Sequence, residues 1–185
     1  MALCRLAVFR GGFDRMAAER ITGATLPLLA SLVSKSLVRR GNDARYDLHE
    51  VIRQLALSQL EADPAREDGA RDAHSEYYLQ FAADREESLR SAAQQQAVRD
   101  LINEMDNLRA AWIWAIRRGQ FPLLVASVRS LAWFFEVTGL VREGIEQFEP
   151  LVRSLKSRPL NDEWQWVLGH TLTHQGMLYF RRGLF

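Results

Sequence analysis

The chain has 185 residues, which is enough for one domain or two small ones. Hydrophobic residues make up 48% of it and charged residues 25%, which excludes wholesale disorder because a core can be buried. The 24 basic and 23 acidic residues leave a formal net charge of +1, which excludes a bulk electrostatic attraction to nucleic acid. Cys4 is the single cysteine, so no internal disulfide can form and a cytoplasmic location is expected.

Three short helices are expected at the start of the chain. The glycine pair Gly11-Gly12 favours a turn that ends the first of them. Asp14 can cap the second helix by accepting a backbone N–H, and this helix then runs to Gly23. The third fits Leu26–Ser34, because a proline in the first turn of a helix has no hydrogen bond to lose.

The periodicity changes after the third helix. Residues 37–40 and 45–49 predict two strands, joined by a tight turn that contains glycine, asparagine and aspartate. A fourth helix follows from about Glu50, and its predicted apolar stripe comprises Val51, Ile52, Leu55, Ala56 and Leu60. Pro64 should end this helix, so residues 1–63 are predicted to form a winged-helix domain.

Winged helices often read DNA through their third helix. The outward positions of that helix can come only from Thr25, Pro27, Ala30, Ser31, Ser34 and Lys35. None of these is an arginine, asparagine or glutamine that could make bidentate contacts to base edges, so direct readout is disfavoured. The hairpin is basic, and its possible phosphate contacts are Lys35, Arg39, Arg40 and Arg45.

Residues 64–120 predict an α-helical connector. One expected apolar stripe contains Ala70, Ala73, Tyr77 and Phe81, and a second contains Leu101, Met105, Leu108, Trp112 and Ala115. Gly119 should end the helix that carries the second stripe. The connector includes the most acidic part of the chain, since residues 61–100 hold ten acidic and five basic side chains.

Residues 121–185 predict antiparallel helix pairs of the tetratricopeptide type. Ala132 with Phe135, and Gly144 with Phe148, have the small-to-aromatic spacing that lets two helices approach closely. Gly176 and Tyr179 repeat the first spacing, after an extended loop expected over residues 153–163. The second pair is incomplete at residue 185, so we expect either a piece of a longer protein or a second copy that covers the exposed apolar face. The apolar stretch 123–135 is too short to span a bilayer, so no membrane contact is expected.

Three runs in the first domain carry a family resemblance. They are LAVFRGGF at 6–13, LVSKSLVR at 32–39 and RYDLHEVIR at 45–53. They resemble the winged-helix segment of bacterial signal-transduction NTPases of the STAND class, which follows a P-loop ATPase module and precedes helical repeats. The run EMDNLRAA at 104–111 is similar to a segment between the winged helix and the repeats of such regulators.

This resemblance implies a role for one histidine. In related apoptotic and plant-resistance ATPases, a Met-His-Asp motif places its histidine on the β-phosphate of bound ADP. Leu48-His49-Glu50 occupies the matching place, which implies that His49, supported by Leu48 and Glu50, senses nucleotide in a longer parent protein. Strand alternation puts Tyr46 and Leu48 on one face and Asp47 and His49 on the other. The alternatives are that His49 caps the fourth helix or pairs with Asp47.

No catalytic constellation can be recognised in the sequence. A phosphate-binding P-loop ends in Gly-Lys-Ser/Thr, whereas Lys35 and Lys156 follow serine and leucine. His170 and His174 lie one helical turn apart, but without a third ligand no metal site is expected. We therefore expect this chain to be no enzyme and to hold no cofactor or metal, with ADP or ATP bound elsewhere in the parent protein.

The sequence thus predicts a mainly α protein that is the non-catalytic arm of a STAND-type regulator. It would couple the nucleotide state of an ATPase module, absent from this chain, to a tetratricopeptide sensor. The expected partners are that module of the same polypeptide and a protein or peptide ligand on the repeats. The alternative is a stand-alone winged-helix DNA-binding transcriptional regulator with a helical oligomerisation domain.

Overall fold

The computed structural model describes residues 2–41, 43–157, 162–181 and 183, with the side chains of 162–164 left out. Within these ranges the fold is mainly α with a short β-hairpin, as the sequence predicts. In chain order the elements are α1 (Ala2–Leu6), α2 (Arg15–Thr22), α3 (Leu26–Ser34), β1 (Val38–Arg40), β2 (Tyr46–Leu48), α4 (Glu50–Glu61), α5 (Pro64–Ala83), α6 (Glu86–Leu89), α7 (Gln94–Asn103), α8 (Met105–Arg118), α9 (Phe121–Thr138), α10 (Val141–Lys156) and α11 (Asp162–Arg181).

Contacts divide the chain into two units, each discontinuous in sequence. Unit 1 comprises residues 1–77 and 104–111, and unit 2 comprises residues 78–103 and 112–185. Helices α5 and α8 therefore contribute residues to both units. The domain boundaries that the sequence predicts after residues 63 and 120 stay a prediction.

Local signals explain helices α2 and α3 of unit 1. The Asp14 carboxylate accepts a hydrogen bond from the Ala17 N–H at 2.7 Å, which satisfies a donor in the first turn of α2. Gly23 ends that helix in the left-handed conformation, with φ of 73°. Helix α3 has the predicted bounds and begins with Leu26 and Pro27. The three predictions are confirmed.

The hairpin is extended by a strand-like contact from the loop after α1. Strands β1 and β2 are antiparallel, with Val38 opposite Leu48 and Arg40 opposite Tyr46. Phe13 pairs with the other edge of β2, since its N–H donates to the Tyr46 carbonyl at 2.9 Å and its carbonyl accepts from the Tyr46 N–H at 2.8 Å. Gly12 allows this approach, because a Cβ there would lie 3.0 Å from the Tyr46 carbonyl oxygen.

Helix α4 buries only part of its predicted apolar stripe. Ala56 and Leu60 are buried, and the helix packs on α1. Val51 and Leu55, which belong to the same predicted apolar stripe, are 65% and 58% exposed. Apolar periodicity identifies an apolar face, but it does not say whether another element covers that face.

The core of unit 2 is built around the helix pair α9 and α10. The ring centroids of Phe135 and Phe148 lie 6.1 Å apart, and the Trp112 ring lies 5.4 Å from that of Phe148. A Cβ on Gly144 would lie 2.8 Å from the Phe135 ring and from a methyl group of Leu178. The absence of a side chain at Gly144 therefore allows these helices their close approach, as the spacing predicts.

Two predictions for the connector region need correction. The buried row of α5 is Ala70, His74 and Tyr78, together with Ser75, Leu79 and Ala82, whereas Ala73, Tyr77 and Phe81 are only half-buried. An apolar pattern could not mark this row because it contains a histidine and a serine. The stripe from Leu101 to Ala115 is buried apart from half-buried Met105, but it is divided between α7 and α8 at Glu104.

The region after α10 also differs from the prediction. Helices occupy 153–156 and 162–163, so the extended loop predicted over 153–163 is too long. Residues 158–161 and Phe185 lie outside the described residues.

Helix α9 is long and apolar enough, by length and composition alone, to be a candidate membrane span. The same side chains, however, form the centre of unit 2. Leu124, Val128, Leu131, Phe134 and Phe135 have no exposed surface, and the helix packs on α10 and α11. Its apolar character is therefore explained by core packing.

Candidate functional site

The candidate site is the hairpin face of unit 1, which carries His49, the residue that the family resemblance implies to be a nucleotide sensor. His49 is exposed and is the N-terminal capping residue of α4, but its side chain makes no capping hydrogen bond. Asp47 is engaged by Arg39 at 3.0 Å, so the pairing partner of Asp47 is an arginine. Leu48 is buried, and Glu50 forms an ion pair with Arg53 at 2.5 Å. The alternation expected along this strand is therefore present.

The four basic residues that the sequence offers as possible phosphate contacts fall into two groups. Lys35, Arg39 and Arg40 are exposed near the hairpin face. Arg45 instead forms an ion pair with Glu104, and their side chains are only 19% and 7% exposed. Because a buried carboxylate already neutralises the Arg45 guanidinium, this residue is poorly placed to contact a phosphate.

A groove opens beside His49, with a volume of about 710 Å³. Its apolar lining residues are Val33, Val38, Val51 and Ile52, and its polar ones are Ser36, Arg39, Arg40 and His49. The groove thus combines an apolar floor with a positively charged rim. The sequence predicts the basic residues of the rim but not the floor, because the floor residues come from three elements, α3, β1 and α4.

The exposed face of α3 lies near the groove and lacks residues that read bases. Its exposed positions are Thr25, Leu26, Pro27, Ala30, Ser34 and Lys35, while Ser31 is half-buried. In the described part of this helix no arginine, asparagine or glutamine is present to contact base edges. The expectation from the sequence is thus consistent with where the side chains lie.

A buried polar network lies elsewhere in unit 1, centred on Asn107. The Asn107 amide donates to the Gly12 carbonyl at 2.8 Å and to the Glu104 carboxylate at 2.9 Å, while its oxygen accepts from the Arg10 N–H at 2.7 Å. Glu104 in turn holds Arg45. This network fixes residues 104–111 to the loop after α1 and to the start of β2.

His74 completes the network as a neutral side chain. Its Nε2 atom lies 3.2 Å from the Asn107 oxygen, which can only accept, so Nε2 carries the hydrogen. Burial lowers the pKa of His74 to about 4, and the positive charge of Arg71 acts in the same direction, against the hydrogen bond to Asn107. The resemblance of residues 104–111 pointed to this segment, but not to its partners.

Unit 2 holds the histidine pair that the sequence considered for metal binding. The rings of His170 and His174 lie 5.0 Å apart, and Trp166 lies 5.3 Å from His170. Burial lowers the pKa of both histidines. Among the described residues, no group of three histidine, cysteine, aspartate or glutamate side chains is placed to hold a metal ion.

Three curated proteins from mycobacteria are similar to this chain. A protein of Mycobacterium bovis and one from each of two strains of Mycobacterium tuberculosis carry the name "Putative HTH-type transcriptional regulator". Each is 34% identical to this chain over 163 residues, which cover 80% of the chain and 18% of the relative. The chain therefore spans less than a fifth of the length of these relatives. No family model matches the chain, and no solved structure does so.

Proposed function

We propose that this chain is part of a longer cytoplasmic transcriptional regulator and serves there as a non-catalytic contact segment. The observation that carries this proposal is the 34% identity, over 80% of the chain, to regions of proteins named as helix-turn-helix regulators. A mainly helical fold with a short hairpin fits a winged-helix region of such a regulator. STAND membership and tetratricopeptide repeats in unit 2 are finer parts of the same proposal.

The geometry favours contact with protein over the reading of DNA bases. The exposed residues of α3 are small, apolar or hydroxylated, and such side chains cannot form the bidentate contacts that distinguish base pairs. Arg45 is held by Glu104, which leaves fewer cations for the phosphate backbone. We infer that unit 1 acts by contacting other parts of the regulator, and that unit 2 binds a protein or peptide.

Duplex DNA affinity of the whole chain tests this inference. We expect weak binding at low salt and little detectable binding at physiological salt, because few phosphates are neutralised. Tight binding whose affinity falls steeply between two salt concentrations would instead support the second candidate, a DNA-binding regulator. Lys35, Arg39 and Arg40 favour this candidate because they are exposed near the hairpin. In that case Lys35→Ala with Arg40→Ala should reduce the salt slope, whereas Arg20→Ala on α2 should not.

The finer proposal concerns His49 and nucleotide. We propose that in the parent protein His49 donates a hydrogen bond to the phosphate of ADP bound in an ATPase module. It is supported by the exposure of His49 and by the absence of a capping hydrogen bond from its side chain. His49→Ala in the full-length parent should weaken ADP binding and raise resting activity, while Arg20→Ala leaves both unchanged. Unchanged ADP affinity and resting activity in the His49 variant would contradict this role.

A further inference from the structure

Helix α4 has an apolar face that unit 1 does not cover. Ala56 and Leu60 face the core, while Val51 and Leu55 are more than half exposed on another side of the helix. Residues four apart lie next to each other on a helix, so Val51 and Leu55 form one continuous apolar surface. Val51 also lines the groove beside His49, which connects this surface to the groove floor.

The charged side chains that line the groove are basic. Arg39, Arg40 and His49 line it, and none of its described lining residues is acidic. Asp47 neutralises part of this charge through its ion pair with Arg39. Arg40 forms no ion pair with the residues that the structure describes, and it lies on the groove rim. A ligand with carboxylates would therefore meet an uncompensated cation.

A phosphate or a DNA backbone would satisfy only part of this surface. Either one could contact the rim, but neither would cover Val33, Val38, Val51 and Ile52. Covering apolar side chains supplies most of the favourable free energy in protein association, whereas charge at the rim sets orientation and rate of encounter. The occupant that matches both features has apolar side chains next to acidic ones.

We propose that the groove between α3, the hairpin and α4 binds an amphipathic protein segment with acidic residues beside its apolar face. Apolar side chains of the segment cover Val51 and Leu55 and enter the groove, while its carboxylates pair with Arg40. This inference rests on the proposed contact role of unit 1 and names the chemistry of the partner. Its test uses no DNA, so its failure is distinguishable from a failure of the DNA titration.

Peptide selection tests the proposal even though the partner is unidentified. The whole chain is immobilised, and a displayed library of random short peptides is selected against it, with the double variant Val51→Glu, Leu55→Glu used for counter-selection. Peptides that depend on the groove should be enriched in both acidic and apolar residues. Enrichment of basic peptides would overturn the proposal. So would a selection in which every enriched peptide binds the unmodified chain and the double variant equally well.

Matched substitutions then measure separately how the apolar floor and the basic rim of the groove contribute to peptide binding. Val51→Glu should weaken a selected peptide by about tenfold or more, because a charge replaces an apolar contact. Met16→Glu is the control, since Met16 is equally exposed, at 63%, on helix α2. Arg40→Glu should weaken the same peptide, with a smaller effect at high salt, while Arg20→Glu should not. Equal losses from the groove variants and from their controls would overturn the assignment.

Discussion

Both units have an apolar core, and they differ in how their buried polar side chains are paired. Unit 1 contains the network of Asn107, Glu104, Arg45 and His74, whose hydrogen bonds join residues as many as 97 positions apart. In unit 2 the buried hydroxyl of Thr171 instead donates to a carbonyl oxygen four residues earlier in its own helix. Apolar packing tolerates small shifts, whereas a buried polar network needs every partner in place. The units should therefore respond differently to truncation and to pH.

This difference can be measured because all five tryptophans lie in unit 2, at positions 112 to 166. Tryptophan fluorescence follows unit 2 only. Hydrogen exchange of the peptides from residues 1–77 follows unit 1.

Phe148→Ala should destabilise unit 2 by about 3–5 kcal/mol, because it removes a fully buried ring that touches Trp112 and Phe135. Denaturant unfolding followed by tryptophan fluorescence measures the change. Phe180→Ala on α11 is the control, since that ring is 66% exposed and its loss should cost far less. Equal losses at the two positions would contradict the assignment of Phe148 to the core.

Asn107→Ala should destabilise unit 1 by about 3–4 kcal/mol. The change leaves the Gly12 carbonyl, the Arg10 N–H and the buried Glu104 carboxylate each without one hydrogen-bond partner. Faster hydrogen exchange in residues 1–77 reports the loss. Asn103→Ala is the matched control at an exposed position, and protection that stays the same in both variants would show that the network contributes little.

Acid should destabilise unit 1 through His74. Its folded pKa of about 4 lies below the ordinary value of 6.5, so between these pH values the unfolded chain binds a proton that the folded chain excludes. The stability of unit 1 should thus be constant above about pH 6.5 and fall by about 3 kcal/mol as the pH approaches 4. His74→Gln keeps an N–H for Asn107 but does not titrate, and should remove this dependence. A pH profile that is unaltered by this substitution would point to another group.

Gly144→Ala should destabilise unit 2 by about 1–2 kcal/mol, because the new methyl group meets Phe135 and Leu178 at 2.8 Å. The chain supplies a control in Gly169→Ala. A Cβ there meets nothing within 4 Å, and alanine favours a helix over glycine by about 1 kcal/mol. The two substitutions should therefore shift the midpoint of thermal unfolding in opposite directions, and a shift in the same direction would contradict the close approach at Gly144.

Arg39→Ala should change the stability of unit 1 by less than about 1 kcal/mol. Its ion pair with Asp47 is half exposed, and such pairs contribute little in water. Hydrogen exchange measures this change as well. A loss as large as that of Asn107→Ala would mean that the hairpin face, and not the buried network, holds unit 1 together.

Local signals made much of this fold predictable. The Asp14 cap, the left-handed glycine at position 23 and the turn residues after Arg40 each act within a few residues, so α2, α3 and the hairpin follow from the sequence. The side chain alternation of β2, with Leu48 buried and His49 exposed, is equally local.

The contacts that the sequence could not predict join residues that are far apart in the chain. Arg45 and Glu104 are 59 residues apart, so nothing near Arg45 indicates that this cation leaves the hairpin face for a buried ion pair. Val51 and Leu55 likewise have the spacing of core residues, but their spacing does not show that no part of unit 1 covers them. The groove is therefore visible only once α3, β1 and α4 are placed together.

The central proposal is that unit 1 contacts protein and does not read DNA sequence. Selection of duplexes from a random DNA library by the whole chain tests it most directly, because every short sequence is sampled at once. The account predicts that no sequence is enriched over the starting library. An enriched consensus that disappears when the exposed residues Thr25, Ala30 and Ser34 of α3 are substituted would contradict it.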